Sequence, residues 1–317
     1  MRNYLLVFML FTTILFASKQ ELTVTILPQK YFVEKIVKDK FDINVMVKPG
    51  SSPHNFEPKA SQMKSLGNSK AYFMIGDSSE KAWIKRFKQN AKSTIFVDTT
   101  IGVEKIAMVE HTHHDEEDEH KKHNHSNHKH EDKNGHSHED DGLDPHIWLD
   151  PISVKIQAKN IYEAMVKIDE ENSDFYKANY EEFVKELDNL DNEIKNILKP
   201  YKDSAFMVFH PSWGYFAARY DIEQISIEIE GKEPKPNELL QLVEEAKKHN
   251  IKIVFVAPQF SQKSAKTISQ NVGANVVSID PLSDDWKNNL IFSATFLGDT
   301  LYSEPQIASN IETGPNF

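Results

Sequence analysis

Residues 173–198, SDFYKANYEEFVKELDNLDNEIKNIL, contain neither glycine nor proline. Phe175, Tyr180, Phe183, Val184, Leu187, Leu190, Ile194 and Leu198 run through them as an apolar stripe among dense Glu and Lys. This pattern predicts one stiff helix of about 26 residues, ~39 Å long at about 1.5 Å per residue. An element of that length restricts the fold, because whatever flanks it must be built as separate lobes on a common strut.

The flanks are alike. Before the strut, apolar strand-like runs at Glu21–Leu27, Ile43–Gly50, Lys70–Gly76 and Thr94–Thr100 alternate with helical runs at Gln29–Lys40, Pro58–Ser69 and Ser79–Asn90. After it, strands are predicted at Ser204–His210, Glu223–Ile229, Ile251–Pro258 and Ala274–Asp280. Helices are expected at 236–250 and 264–272, with a closing helix over Trp286–Tyr302. The strands are continuously apolar rather than alternating, as strands buried on both faces should be. Strand–helix alternation implies parallel sheets with right-handed crossovers. The expected class is therefore α/β: two lobes, each a four-stranded parallel sheet flanked by helices, joined by one long rigid helix. The boundaries read as lobes at 21–168 and 201–317, with the linking helix over 169–200. The 317 residues are enough for two domains of ordinary size.

The N-terminus is a different kind of sequence. Arg2 precedes an apolar run from Leu5 to Phe16, Ala17 could be a cleavage residue, and polar SKQE follows. Residues 1–17 read as a secretory signal, since the run is shorter than the ~20 residues a membrane span needs. The chain has no cysteine, so disulfides, thiolate metal sites and a lipid-modified cysteine are not expected. An exported chain without a lipid anchor fits a Gram-negative periplasm. The formal charge of −11 argues against nucleic acid as a partner.

Ten of the fourteen histidines lie in an acidic stretch, residues 110–141. Imidazoles ligate transition metals, but a tract without the composition to bury a core is expected to be disordered and cannot by itself fix a coordination geometry. The other four are placed differently. His54 lies in PGSSPHNFEP after the second strand, His146 in GLDPHIWLDP, and His210 ends the strand FMVFH. His249, in KKHN at a helix end, reads as a surface residue. Ligands of open α/β sheets bind beyond the carboxyl ends of strands, where His54 and His210 both fall, one per lobe. Asp280, in SIDPL, ends the last strand, although an aspartate before proline is also an ordinary turn residue. Three imidazoles and one carboxylate suit tetrahedral Zn²⁺, and carboxylates are too few for a hard-ion manganese site.

PGSSPHNFEP, DPHIWLDP, HPSWGYFA and IDPL resemble, in order and spacing, the metal-binding segments of periplasmic zinc-binding proteins of ABC uptake systems, the ZnuA type. The resemblance covers nearly the whole chain beyond the signal. It implies two α/β lobes joined by a rigid helix, zinc bound between them, and delivery to an inner-membrane permease driven by a cytoplasmic ATPase. It maps the ligands onto His54, His146 and His210. Manganese-binding relatives carry a carboxylate where this chain has His210. Asp280 matches a carboxylate used as fourth ligand in many relatives; in others an acidic loop residue or water serves, so Glu57, Glu228 and Glu230 stay open as alternatives. Many zinc members carry an acidic His-rich loop at the place of 110–141, which implies an accessory, low-affinity collector. A monomer is expected. The competing readings are a manganese or nickel carrier of the same fold, a zinc hydrolase, and a zinc buffer in which the His tract does all the binding. A hydrolase is disfavoured because the chain has no HExxH helix and no evident general base, so no enzymatic activity is expected.

Overall fold

In the sheet of the first lobe, β1 (Gln20–Val24) lies between β2 (Phe41–Val45) and β3 (Ala71–Met74), and β4 (Ile95–Asp98) extends the sheet beyond β3. All pairings are parallel. The second lobe repeats the order with β6 (Glu223–Ser226), β5 (Ala205–Val208), β7 (Ile253–Val256) and β8 (Asn275–Ser278), again all parallel. These coordinates are a computed structural model, which describes residues 19–108, 142–229 and 231–302. The expected signal at 1–17 and the His-rich stretch at 110–141 fall outside the described residues.

Burial follows position in the sheet. The central strands β5 and β7 are buried at every residue, as their apolar runs predict. The edge strands β4 and β8 are exposed at both ends and only half-buried between, whereas β6 at the opposite edge is buried at three of its four residues. An edge strand lacks a neighbour on one side, so an apolar run there does not imply burial on both faces.

Helices cover the sheets: α1 (Leu27–Val37), α2 (Ala60–Asn68) and α3 (Ser78–Asn90) in the first lobe, α6 (Gly214–Arg219), α7 (Pro236–Lys248) and α8 (Lys263–Val272) in the second. Between the sheets run α4 (Pro151–Ile168) and α5 (Ser173–Leu198). The Asp150 carboxylate starts α4 by accepting from the amides of Ile152 and Ser153, with proline in the first turn. The strut α5 is 26 residues long, bracketed by 3-10 turns at Glu170–Asn172 and Lys199–Tyr201. Its buried face runs through Tyr176, Asn179, Phe183, Leu187, Leu190, Ile194 and Leu198, a clean three-and-four spacing. Tyr176 and Asn179 join the expected stripe, Phe175 lies off it, and Tyr180 is partly buried against the same core. Asn179 is admitted to the buried face because its amide donates to the carbonyl of Ile36 at 2.9 Å. Phe175 is exposed, with the Lys40 ammonium 4.8 Å from its ring centroid.

The last helix, α9 (Trp286–Tyr302), returns from the second lobe to pack against α5. Trp286 meets Phe32 of α1 edge-on at 4.9 Å. One apolar core therefore passes without interruption from Leu22 and Phe73 through Trp148, Phe183 and Trp286 to Phe206 and Phe255. Two indole bonds reinforce the junction: Trp148 Nε1 donates to the Pro281 carbonyl at 2.8 Å and Trp286 Nε1 to the Trp148 carbonyl at 2.7 Å. Among the described residues no helix is long and apolar enough to cross a membrane.

Candidate metal centre

Three loops deliver histidines to one point between the lobes. After β2, backbone bonds from Met46 to Val24 and from Val47 to Thr25 carry the chain past the sheet edge. It then reverses at Pro49-Gly50, where Gly50 takes φ 78°, a conformation open to glycine without strain. Ser52 Oγ accepts from the His54 amide and opens the 3-10 turn Pro53–Asn55. His146 follows an antiparallel bridge between Ala107 and Leu143 and precedes the 3-10 turn Ile147–Leu149. His210 leaves β5 in a tight turn, its carbonyl accepting from the Ser212 amide at 2.7 Å.

The three Nε2 atoms face one another. His54 Nε2 lies 3.2 Å from His146 Nε2 and 3.1 Å from His210 Nε2. One ligand atom from each ring falls within 4.8 Å of the others. Each Nδ1 is turned outward against a carboxylate: Asp77 Oδ2 at 2.9 Å from His54, Asp144 Oδ1 at 2.7 Å from His146, and Glu228 Oε1 at 2.6 Å from His210. The Asp77 contact has ion-pair distance without hydrogen-bond alignment. A carboxylate on Nδ1 fixes the ring's orientation and its tautomer, leaving the Nε2 lone pair directed at the centre.

The local folding that supplies these carboxylates is visible. Asp77 caps α3 through the Ser79 amide, and Glu80 in the next turn grips the amides of Ile75 and Gly76, fixing the turn that carries Asp77. Asp144 also accepts from the His146 amide at 2.8 Å, a two-residue turn that ties ring and backbone to one carboxylate. Register alone brings in Glu228. β5 and β6 pair Val208 with Ser226, so two residues further on His210 stands beside Glu228, and the Glu228 amide donates to the Phe209 carbonyl.

Burial grades the three rings. Side-chain exposure is 2 % for His146, 13 % for His210 and 27 % for His54. Burial pushes His146 down to about 4 in pKa, outweighing Asp144, which favours the cation. For Asp77, burial raises the carboxyl, but the adjacent His54 and the Ser79 bonds outweigh it and hold it below its usual value. Trp148 packs edge-on to His146 with centroids 5.1 Å apart, and Phe260 stacks on His210 at the same distance. With Pro53, Gln259 and Leu282 these rings enclose a cavity of about 20 Å³, room for a guest the size of one water or one ion.

Asp280 is not among the three converging groups. Its Oδ1 accepts from Gln259 Nε2 and from the Leu282 amide, both at 2.9 Å, which is the turn geometry expected of an aspartate before proline. Gln259 and Leu282 line the cavity. Of the other acids the sequence left open, Glu228 stands behind His210 rather than beside the centre. Glu57 is exposed on a neighbouring groove, and Glu230 falls outside the described residues. His249 pairs with Glu223 at 3.1 Å at the end of α7. The roles of Asp77 and Asp144 are not among the sequence expectations, and Glu228 is expected there only as a candidate ligand. The available signals were Asp144 two residues before His146 and the equal offset of 18 that pairs His210 with Glu228.

Two parallel-sheet lobes on one long helix, with a three-imidazole centre between them, define a two-lobed solute-binding protein built for a metal ion. The chain belongs to the ZnuA family, described as the periplasmic component A of the zinc-uptake complex, whose sequence model matches residues 22–298. It is 31 % identical over 273 residues to the zinc-binding protein AdcA of Streptococcus pyogenes serotype M3, an alignment that covers 85 % of this chain and 52 % of AdcA. The chain thus spans about half the length of the streptococcal relatives it matches. A crystal structure of ZnuA is 36 % identical with a TM-score of 0.77, covering 89 % of this chain and 99 % of that one. A ZnuA deletion mutant crystallised with zinc bound is 35 % identical with the same TM-score, covering 91 % of this chain and all of the other.

Proposed function

We propose that this protein captures a zinc ion between its lobes through Nε2 of His54, His146 and His210. It presents the ion to an inner-membrane ABC permease driven by a cytoplasmic ATPase. The observation that carries this reading is the convergence of three Nε2 atoms whose Nδ1 atoms all face carboxylates. Tetrahedral Zn²⁺ with Zn–N bonds of about 2.0–2.1 Å sets its ligand nitrogens roughly 3.3 Å apart. The separations of 3.2 and 3.1 Å need only a slight expansion to reach that value. Neutral imidazoles without a thiolate favour zinc over softer ions, and the carboxylates behind the rings are occupied with orientation, which disfavours hard-ion manganese chemistry.

Asp280 takes the fourth position in this proposal. To do so its carboxylate exchanges the bond to Gln259, a residue that lines the cavity, for the metal. The site then has no open coordination position for a nucleophilic water, so the chain acts as a carrier and not as a hydrolase. The acidic His-rich stretch 110–141 acts beside this site as a weak collector, raising the local zinc concentration through tethering. The carrier works as a monomer in the periplasm.

The test is a competitive zinc titration of the intact chain and of a chain lacking residues 110–141. One tight stoichiometric site surviving the deletion supports the cleft. Loss of tight binding with the deletion moves the site to the His tract and removes the basis for a carrier. Asp280→Ala then reads the fourth position: an unchanged affinity excludes Asp280 and leaves the position to water or another acidic loop residue.

A further inference from the structure

The carboxylate behind His146 is itself held from the opposite lobe. Asp144 is 1 % exposed, and both its backbone and its side chain meet the start of α6. Tyr215 Oη donates to the Asp144 carbonyl at 2.8 Å and accepts from the Ile106 amide at 3.2 Å. Ile106 and Asp144 are the two sides of one short antiparallel neck: the Asp144 amide donates to the Ile106 carbonyl at 2.9 Å, Ala107 bridges Leu143, and the Met108 amide donates to the Gly142 carbonyl at 2.8 Å. A single hydroxyl therefore clamps both strands of the neck. Next to it, Gly214 leaves a gap that Asp144 fills. A Cβ at position 214 would stand 2.6 Å from Asp144 Oδ2, closer than real Cβ contacts allow. Asp144 cannot yield without cost, because its other oxygen is fixed by the His146 amide and Nδ1.

We infer that Gly214 and Tyr215 are positioning residues for the metal centre, acting on His146 through Asp144. The seat that α6 of the second lobe provides sets the angle of a ring carried by the first lobe. Gly214 supplies the space for the carboxylate, and Tyr215 fixes the height of the neck that bears it. Burial pushes the Tyr215 hydroxyl up to about 12 in pKa, so it stays a donor across the working range of the protein. This inference rests on the zinc-carrier reading of His146.

The experiment uses the full chain and compares Gly214→Ala, Tyr215→Phe, Asp144→Ala and the double variant Gly214→Ala/Asp144→Ala. Tyr176→Phe serves as control, since it removes a hydroxyl that donates to Asp169 at the far end of α4. Zinc affinity is read by competitive titration, and ligand geometry by the visible absorption of the Co²⁺-loaded chain. Gly214→Ala is expected to weaken zinc by roughly 10–100-fold, the range for loss of a metal site's supporting shell. Tyr215→Phe is expected to fall at the low end of that range, with a changed cobalt spectrum in both and wild-type values for the control. In the Asp144→Ala background, Gly214→Ala is expected to add nothing, because the residue it acts through is gone. An unchanged affinity in both single variants, beside a tight wild-type site, overturns this inference alone. An equal loss with and without Asp144 also overturns it. If Gly214→Ala does not fold, Tyr215→Phe decides by itself. Absence of any single tight site in the wild-type chain overturns the carrier reading and this inference together.

Discussion

Arg219 of α6 grips both carboxylate oxygens of Asp150, Nε to Oδ1 at 2.9 Å and Nη2 to Oδ2 at 3.1 Å. The same carboxylate accepts from the amides of Ile152 and Ser153 at 3.0 Å each, so one side chain both starts α4 and fastens it to the second lobe. Arg219→Ala should lower stability by about 1–2 kcal/mol, moderated because the guanidinium is partly exposed. Asp150→Ala should cost more, about 2–4 kcal/mol, since the helix cap is lost with the fork. Urea unfolding of the two variants measures both values, and a smaller loss for Asp150→Ala than for Arg219→Ala would contradict the double role. Arg219→Lys should not restore stability, because an ammonium cannot match two oxygens at once.

The cluster and the His tract make opposite predictions for single substitutions. His210→Ala should reduce zinc affinity far more than removal of any one histidine within residues 110–141. Glu228→Gln, which alters the partner of His210 Nδ1, should cost roughly 10–100-fold. Calorimetric titration distinguishes the cases; equal effects from cleft and tract histidines would remove the cleft from the mechanism.

Acid should act on the metal-free chain through His146. Its folded pKa is lowered to about 4 by burial, against 6.5 for an ordinary histidine. Between those values the unfolded chain holds a proton that the folded chain does not. The contribution is therefore present above pH 6.5 and is lost as pH falls towards 4. His146→Asn should flatten this part of the stability–pH curve, read by chemical denaturation at pH 7 and pH 5. Zinc affinity should fall with the pH as well, because a histidine must be neutral to ligate a metal ion.

Glu80 should act with the opposite sign. It is fully buried with Thr25 and Tyr72, and burial raises its pKa to about 7 despite donors from Thr25, Ile75 and Gly76 that favour the anion. Between about 4.5 and about 7 the folded chain holds a proton that the unfolded chain has released. Its contribution to stability therefore declines as pH rises through that window. Glu80→Gln removes the titration, so the variant should compare more favourably with the wild type at pH 8 than at pH 5. An identical difference at both values would show that Glu80 is ionised throughout.

Much of this architecture is legible in the sequence because strands and helices announce themselves by different periods. Both sheets, their parallel sense and the helix from Ser173 follow from the alternation of apolar runs with amphipathic ones. Position within a sheet is not carried by such a run, which is why β4 and β8 read as buried and lie at edges. The stripe on α5 departs from expectation at Phe175, which is exposed, while the polar Asn179 takes a buried place through one bond to Ile36. The three histidines could be singled out because each follows a strand end or a proline turn. Of their carboxylate partners only Asp144 lies at a local spacing from its ring, whereas Asp77 and Glu228 reach theirs through helix capping and sheet register.

The uninterrupted core from Phe32 through Trp286 to Phe255 bears on how fast an ion could be exchanged. Swinging the lobes apart would strip water-free contacts from several large side chains at roughly 1.5–3 kcal/mol each. The short segments around His54 and His210, whose rings are the more exposed of the three, would move at lower cost than the lobes. A receiving protein that bends those two loops, rather than one that pries the halves apart, would shorten the residence time of a bound ion at the lowest energetic cost.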